Sequence, residues 1–300
     1  MGKYLVIGPS KAGKTALLAT LFHASMDRGI AGNNPLIQVV AENEPMLNLI
    51  NTARQTIRIG QHPVSATDVV TKLQFKLITR RKLFGFIPMP QQESTFQVWD
   101  GPGGMLFPTM DENVDQGDSQ QIRAELIDAL RESDGFMICF DSSNQSDHMV
   151  LAMFEHLPDI MMRAWEGNQF RGRVCFCLTK ADALFYDSGT NAKKQTEATS
   201  AFKYASDILP SAVMGTLRNY CLPSSAVGFG WTSVYGFLPK GEPNYDKDYD
   251  GLRLRRDEQS GINVGRIADN WRPFRVLDPF IFLATGRKGA MEVVKARHLI

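Results

Sequence analysis

The sequence predicts an α/β fold: a mostly parallel six-stranded sheet with one antiparallel edge strand and helices on both faces. Three observations predict it. Continuous apolar runs at Tyr4–Ile7, Phe136–Phe140, Val174–Leu178 and Asn219–Leu222 suit parallel strands buried on both faces. Segments with helical spacing alternate with these runs. One further segment, Lys72–Leu77, alternates polar and apolar residues and reaches the run Phe96–Trp99 without an intervening helix, which implies an antiparallel hairpin.

In chain order, Tyr4-Leu5-Val6-Ile7 reads as the opening strand, and Leu17, Leu18, Leu21 and Phe22 mark a helix after it. Residues 28–66 read as an insertion with its own amphipathic helix, striped by Met46, Ile50, Ala53 and Ile57. The half-exposed hairpin strand puts Leu73, Phe75 and Leu77 on one face and Lys72, Gln74 and Lys76 on the other. Ile122, Leu126 and Leu130 share a helical stripe, as do Val150, Met153, Phe154 and Leu157. A second insertion is expected over 228–275, a stretch rich in Gly, Pro, Asp and Arg with no long periodic run. Asp278–Thr285 closes the chain as a helix, and residues 1–300 form a single domain with these two insertions.

The composition excludes several classes. Lys plus Arg is 33 and Asp plus Glu is 32, a net charge of +1, so no broad basic face is available for bulk attraction to nucleic acid. A hydrophobic share of 43% with 22% charged residues belongs to a folded chain, not a disordered one. No apolar stretch approaches the roughly 18 residues of a membrane span. The first strand begins at Tyr4, which predicts no signal peptide, and Val6 breaks the myristoylation pattern that Gly2 would begin. Cys139, Cys175, Cys177 and Cys221 lie in apolar runs without ligand spacing, and read as buried reduced thiols in a cytoplasmic protein.

Four short motifs carry chemistry. Gly8-Pro9-Ser10-Lys11-Ala12-Gly13-Lys14-Thr15, with Ala16 beginning the helix, is a complete phosphate loop between a strand and a helix, the context the motif requires. Its glycines let backbone N–H groups face phosphate oxygens, Lys14 reaches the β- and γ-phosphates, and the Thr15 hydroxyl is a Mg²⁺ ligand. The fold expected is therefore that of a P-loop NTPase. Trp99-Asp100-Gly101-Pro102-Gly103-Gly104 places an acid at a strand end beside that loop, suited to hold Mg²⁺ through water, with the Gly103 N–H near the γ-phosphate; a tight Gly-Pro turn is the plainer reading. Thr179-Lys180-Ala181-Asp182 offers a carboxylate that accepts two N–H bonds from guanine, at N1 and the 2-amino group, a donor pair adenine lacks. Lys180 lays its stem along the base, although Asp182 also suits a helix cap. Ser225 and Ala226, in Ser224-Ser225-Ala226, offer small residues and an N–H to the base edge.

Taken in this order, the set resembles the Ras-like GTPases of the translation-factor-related class, over about residues 3–226. The long segment before the hairpin and the Asp278-Pro279-Phe280 helix look like bacterial GTPases of conflict and regulatory systems. The resemblance implies a Mg²⁺-dependent GTP switch that hydrolyses GTP to GDP and acts through a protein effector or activator. It also implies a switch threonine that binds Mg²⁺ and senses the γ-phosphate. Thr67 fits its position, with Ser65 and Thr71 as rivals. A pseudo-GTPase that binds nucleotide with little turnover is the alternative, and an ATP-driven enzyme a third reading that Asp182 opposes.

Three features depart from that pattern or stand beside it. Where most Ras-like members carry a Gln that orients the attacking water, this chain has Gly104; His62, Asp111, Glu112, Gln116 or a partner's side chain are left for the task. The loop Arg80–Pro90 is basic and then apolar, either packed under the chain's own insertion or offered to a partner or bilayer surface. Leu252–Arg256 is a basic patch, either solvated or anion-binding. Lys11 occupies the position where guanylate-binding proteins, which resemble this site, carry an internal Arg finger; either it points into solvent or it adds positive charge at the β–γ bridge in cis. On the second reading, Lys11→Ala slows GTP turnover by about tenfold or more with little loss of nucleotide affinity. Unchanged single-turnover phosphate release would end it.

Overall fold

A computed structural model describes residues 2–9, 11–26, 36–59, 71–80, 82–83, 87–88, 90–100, 107, 116–144, 146–246, 251–252 and 271–299. In chain order the principal elements are β1 (Gly2–Ile7), α1 (Lys14–Met26), β2 (Leu36–Ala41), α2 (Glu44–Ile59), β3 (Thr71–Arg80), β4 (Gln92–Asp100), α3 (Gln116–Arg131), β5 (Gly135–Asp141), α4 (His148–Ala164) and β6 (Arg173–Thr179). Then follow α5 (Ala181–Leu184), α6 (Ala192–Ala198), α7 (Ala201–Ile208), α8 (Ser211–Tyr220), β7 (Ala226–Trp231), α9 (Asp278–Thr285) and β8 (Glu292–Lys295).

The main sheet has eight strands in the order β8-β7-β6-β5-β1-β4-β3-β2. The five central strands, β7 to β4, run parallel, while β3 is antiparallel to β4, β2 to β3 and β8 to β7. The α/β class, the largely parallel sheet and the helices around it are as expected. The sheet is two strands larger than the predicted six, and β3 is not its edge: β2 and β8 pair outside it and outside β7. Both additions are short and half-buried at most, so each leaves only a brief alternation in the sequence.

Two strand assignments change. Asn219–Leu222, read as a strand, is the end of α8 and its cap: Val213, Met214 and Leu217 form a buried helical stripe that carries the chain to Cys221. The strand lies later, at Ala226-Val227-Gly228-Phe229-Gly230-Trp231, and runs into the expected second insertion. Its glycines hide it from a pattern of large apolar residues. They are there because α9 and the turn after it press onto the strand: a Cβ at Gly228 would meet the Phe282 ring at 2.7 Å, and one at Gly230 would meet Met291 Sδ at 2.2 Å. In the first insertion, α2 forms as predicted, with Met46 and Ile50 buried, and β2 precedes it.

Alternation along β1 distributes the core. Leu5 and Ile7 join the cluster under α3, α4 and α8, whereas Tyr4 and Val6 join the one under α1, α2 and α9. Helix α9 is buried from Pro279 to Ala284, and Phe280 packs edge-on against Phe75 and Phe96, with ring centroids 5.8 and 5.4 Å away. It starts with Pro at its first turn and ends on Gly286 in the left-handed region, φ 73°, the usual start and stop for a helix. All four cysteines are buried and free. Among the described residues no helix is long and apolar enough to cross a membrane. The tip of the hairpin, residues 81 and 84–86, lies outside the described residues, as does 253–256. Phe280→Ala is expected to cost about 3–5 kcal/mol, because a fully buried ring on an aromatic pair leaves a cavity that rigid strands cannot close. Urea unfolding of the variant reads this directly; a loss under about 1 kcal/mol would contradict the packing described.

Candidate functional site

The candidate site occupies the carboxyl ends of the parallel strands. The chain leaves β1 in the middle of the sheet, goes to one side for β2 to β4 and to the other for β5 to β7, so the strand order reverses around β1. Open parallel sheets bind ligands in the crevice at such a reversal. The phosphate loop follows β1, Asp100 ends β4 on one flank, Asp141 ends β5 on the other, and Thr179 ends β6.

The loop is built by close backbone approach. A Cβ at Gly8 would stand 2.3 Å from the Cys139 carbonyl oxygen, so glycine alone lets the loop leave β1 against β5. Gly13 has φ 78°, beyond easy reach of other residues, and its carbonyl accepts the Leu17 N–H at 2.8 Å to start α1. Lys14, only 3% exposed, directs Nζ to the carbonyls of Gly8 at 2.9 Å and Pro9 at 2.7 Å, and stands 3.6 Å from Asp100 Oδ1. Burial lowers the pKa of its ammonium, with Asp100 the main opposing influence. The Thr15 hydroxyl donates to Asp100 Oδ2. A hydroxyl and a carboxylate in contact, next to a buried ammonium, are hard oxygen donors of the kind Mg²⁺ takes beside a phosphate chain. Lys11 is exposed and has φ 59°. Ala12 is buried and Ala16 lies in the first turn of α1.

The base-side motif joins this loop directly. Thr179 Oγ1 lies 2.7 Å from the Ala12 carbonyl and 3.0 Å from that of Phe140, so one hydroxyl ties the phosphate loop to the ends of β5 and β6. Lys180 has φ 57° and donates through Nζ to Asp141 Oδ2 at 2.7 Å, while Asp141 Oδ1 accepts the Ser143 N–H and hydroxyl at 2.9 and 2.6 Å. The ammonium is thereby anchored, and the side chain keeps 41% of its surface exposed. Of the three non-glycine residues with positive φ among the described residues, Lys11, Lys180 and Arg275, two stand in these two loops. Such strain collects where a surrounding structure enforces it for a purpose.

Asp182 is 2% exposed, and its Oδ2 has no hydrogen-bond partner among the described residues. Burial raises its pKa to about 6, against the Ser233 hydroxyl, the Asp182 and Ala183 N–H groups and the Lys180 charge, which all lower it. An unsatisfied carboxylate oxygen at this depth is a strong acceptor for an N–H donor.

The structure brings Gly8, Lys11, Ala12, Gly13, Lys14, Thr15, Ala16, Asp100, Thr179, Lys180 and Asp182 to one end of the sheet. Ser10, Gly103 and Thr67 lie outside the described residues, as do Gly104, His62, Asp111 and Glu112. Ser225 and Ala226 are not part of the group. They stand at the start of β7, and its six residues, at about 3.3 Å each, put them roughly 17–20 Å from the strand end that the base-side motif faces. The residues that occupy the expected place are Thr232 and Ser233, just after β7. The Thr232 carbonyl accepts the Ala181 N–H at 3.1 Å, its hydroxyl contacts Cys177 Sγ at 3.3 Å, and Ser233 bonds to Asp182. Asp141 was missed as well. The signal for all three is position, a small polar residue after a buried run, and it becomes readable only when the run itself is placed correctly.

No protein-family model matches the chain, and no curated protein matches it either. Among solved structures it is similar to that of the mammalian SRP receptor, with a TM-score of 0.37, 15% identity and coverage of 77% of this chain and 91% of the other. It is also similar to the GTPase-like domain of S. cerevisiae Ski7 bound to GTP, with a TM-score of 0.35, 11% identity and coverage of 90% and 48%. A third is a GTP-binding protein from the archaeon Sulfolobus solfataricus in complex with GDP, with a TM-score of 0.34, 11% identity and coverage of 78% and 47%. The chain thus spans about half the length of the last two.

The raised pKa of Asp182 links stability to pH. A carboxyl that titrates near 3.8 unfolded and about 6 folded contributes stability that is full below pH 3.8 and lost as pH rises through 6. Asp182→Asn escapes that loss. It should be more stable than the wild type at pH 7.5, by up to about 3 kcal/mol, and equal to it near pH 4. Urea midpoints at the two pH values measure the difference; equal midpoints at pH 7.5 would show that the carboxylate carries no burial cost.

Proposed function

We propose that this chain is a single guanine-nucleotide-binding domain that uses Mg²⁺, hydrolyses GTP to GDP and phosphate, and acts as a switch through a protein partner. One observation carries the reading: Lys14, Thr15 and Asp100 meet where the phosphates of a nucleotide would lie, and Thr179 joins that loop to a buried carboxylate, Asp182, with an unsatisfied oxygen. The first group suits a triphosphate and the second suits paired N–H donors. Guanine offers such a pair at N1 and its 2-amino group, and adenine does not.

In this reading the phosphate-loop N–H groups hold the β-phosphate, and Lys14 exchanges its carbonyl partners for β- and γ-phosphate oxygens. Thr15 and Asp100, with Thr67, would hold Mg²⁺, which when bound would supply positive charge to the phosphate oxygens. Water attacks the γ-phosphorus, the bond to the β–γ bridging oxygen breaks, and the water's proton passes to the phosphate released. Gly104 has no side chain with which to orient that water, so turnover is slow unless an activator supplies the group. The same glycine favours a second reading, an interaction module that binds nucleotide and scarcely cleaves it.

Titration of the purified protein with GTP, GDP and ATP in Mg²⁺, with phosphate release timed at several protein concentrations, tests this. GTP is expected to bind at least about a hundredfold more tightly than ATP. Lys14→Ala should weaken GTP by about a hundredfold. Tight binding without multi-turnover phosphate release would select the module reading, and equal affinity for ATP would overturn the role given to Asp182.

A further inference from the structure

The opposite end of the sheet carries a second polar cleft, of about 450 Å³. It opens where β6 and β7 begin, between the turn that ends α9 and the edge strand β8. Arg171, Arg173, Lys288 and Lys295 line it, over a floor that includes Phe282 and Val293, and no acidic side chain lines it. In a chain with a net charge of +1, four cations at one cleft are a local excess, and like charges gathered this way repel one another unless an anion joins them.

The fold holds two of these groups in place. Arg173 Nε donates to the Leu283 carbonyl at 2.6 Å, which caps the end of α9, and Nη2 donates to the Tyr4 hydroxyl at 3.2 Å. Its Nη1 lies 3.5 Å from where a Cβ would stand on Gly286, so the glycine leaves that side of the guanidinium open. Lys295 Nζ donates to the Ser224 carbonyl at 3.1 Å, bridging β8 to the approach of β7. The acids nearby in sequence are engaged elsewhere. Glu292 is on the other face of β8 and takes the Ser200 hydroxyl at 2.7 Å and the Ala201 N–H at 2.7 Å; Asp278 accepts the Ala290 N–H at 3.3 Å. Among the described residues, none of the four cations is joined to a carboxylate by an ion pair.

We propose that this cleft is a binding site for a small phosphorylated molecule, distinct from the phosphate-loop site. The volume lies within the range of small-ligand sites, two arginine-lysine pairs match the charge of a di- or polyphosphate, and Phe282 with Val293 supports an apolar body. Arg173 opens β6 and Thr179 ends it, so the cleft lies about 20 Å from the phosphate loop, at about 3.3 Å per residue. Ser225 and Ala226, given to the base by the sequence, line this cleft instead.

The test is calorimetric titration with inorganic pyrophosphate, in saturating GDP and Mg²⁺ so that the phosphate loop is occupied, on the wild type and on Lys288→Glu/Lys295→Glu. Both lysines are exposed, and circular dichroism checks that the variant folds; Arg171→Ala is the second, milder variant. Binding is expected in the wild type and weakened at least about tenfold by the charge reversal, with a smaller loss in Arg171→Ala. Absence of binding at about 10 mM, or binding that neither variant changes, would overturn the proposal. So would variant-sensitive binding of poly-glutamate or phosphatidylserine vesicles with none of pyrophosphate, since the occupant would then be an acidic protein or a membrane surface.

Discussion

A buried ammonium is intolerable without partners, and the placement of Lys14 governs much of the rest of the site. Its Nζ is satisfied by two carbonyls of its own loop and by the nearby Asp100. For those carbonyls to turn inward, the loop must leave β1 within touching distance of β5, which only glycine at position 8 permits. For Asp100 to stand opposite, β4 must lie beside β1 in parallel and end at the same level; Val6 pairs with Val98, and Asp100 follows two residues on. The sheet order is thus the means by which two remote segments, one ending in an acid and one beginning with a base, meet in a dry place.

The loops at this end of the sheet carry other costs. Lys11 and Lys180 are held at positive φ, an arrangement that costs about 1–2 kcal/mol each in a residue with a side chain. Asp182 keeps an unpaired oxygen and a pKa of about 6. None of these stabilises the fold. They persist because clusters of large buried side chains on both faces of the sheet hold the strand ends where they are.

Much of this was legible in the sequence, for particular reasons. The phosphate loop declares itself because its chemistry sits in consecutive residues, and β5 and β6 declare themselves because parallel strands covered on both faces are apolar throughout. The hairpin was readable from strict alternation at Leu73, Phe75 and Leu77. What escaped depended on a partner. The strand at Ala226–Trp231 carries glycines where Phe282 and Met291 lie against it, and no local pattern shows that a helix fifty residues later supplies the missing bulk. A strand placed too early carries the polar pair after it too early as well, to Ser225 and Ala226 instead of Thr232 and Ser233. Edge strands β2 and β8 escaped because each has one neighbour and half a buried face.

If Asp182 reads guanine as proposed, its titration joins stability to recognition at this site. With no ligand, the buried carboxyl favours its protonated form up to about pH 6, and a protonated carboxyl presents a donor where two N–H donors would arrive. Paired donors require the anion, so a guanine that fills the place must draw the pKa down, and the free energy lost to burial of the charge returns as part of its affinity. Adenine brings no such pair and leaves the charge uncompensated. On the proposed reading, discrimination would come less from attraction to the right base than from the cost of leaving a desolvated anion beside the wrong one, and a buried acid with an idle oxygen would serve selection better than an exposed acid already satisfied by water.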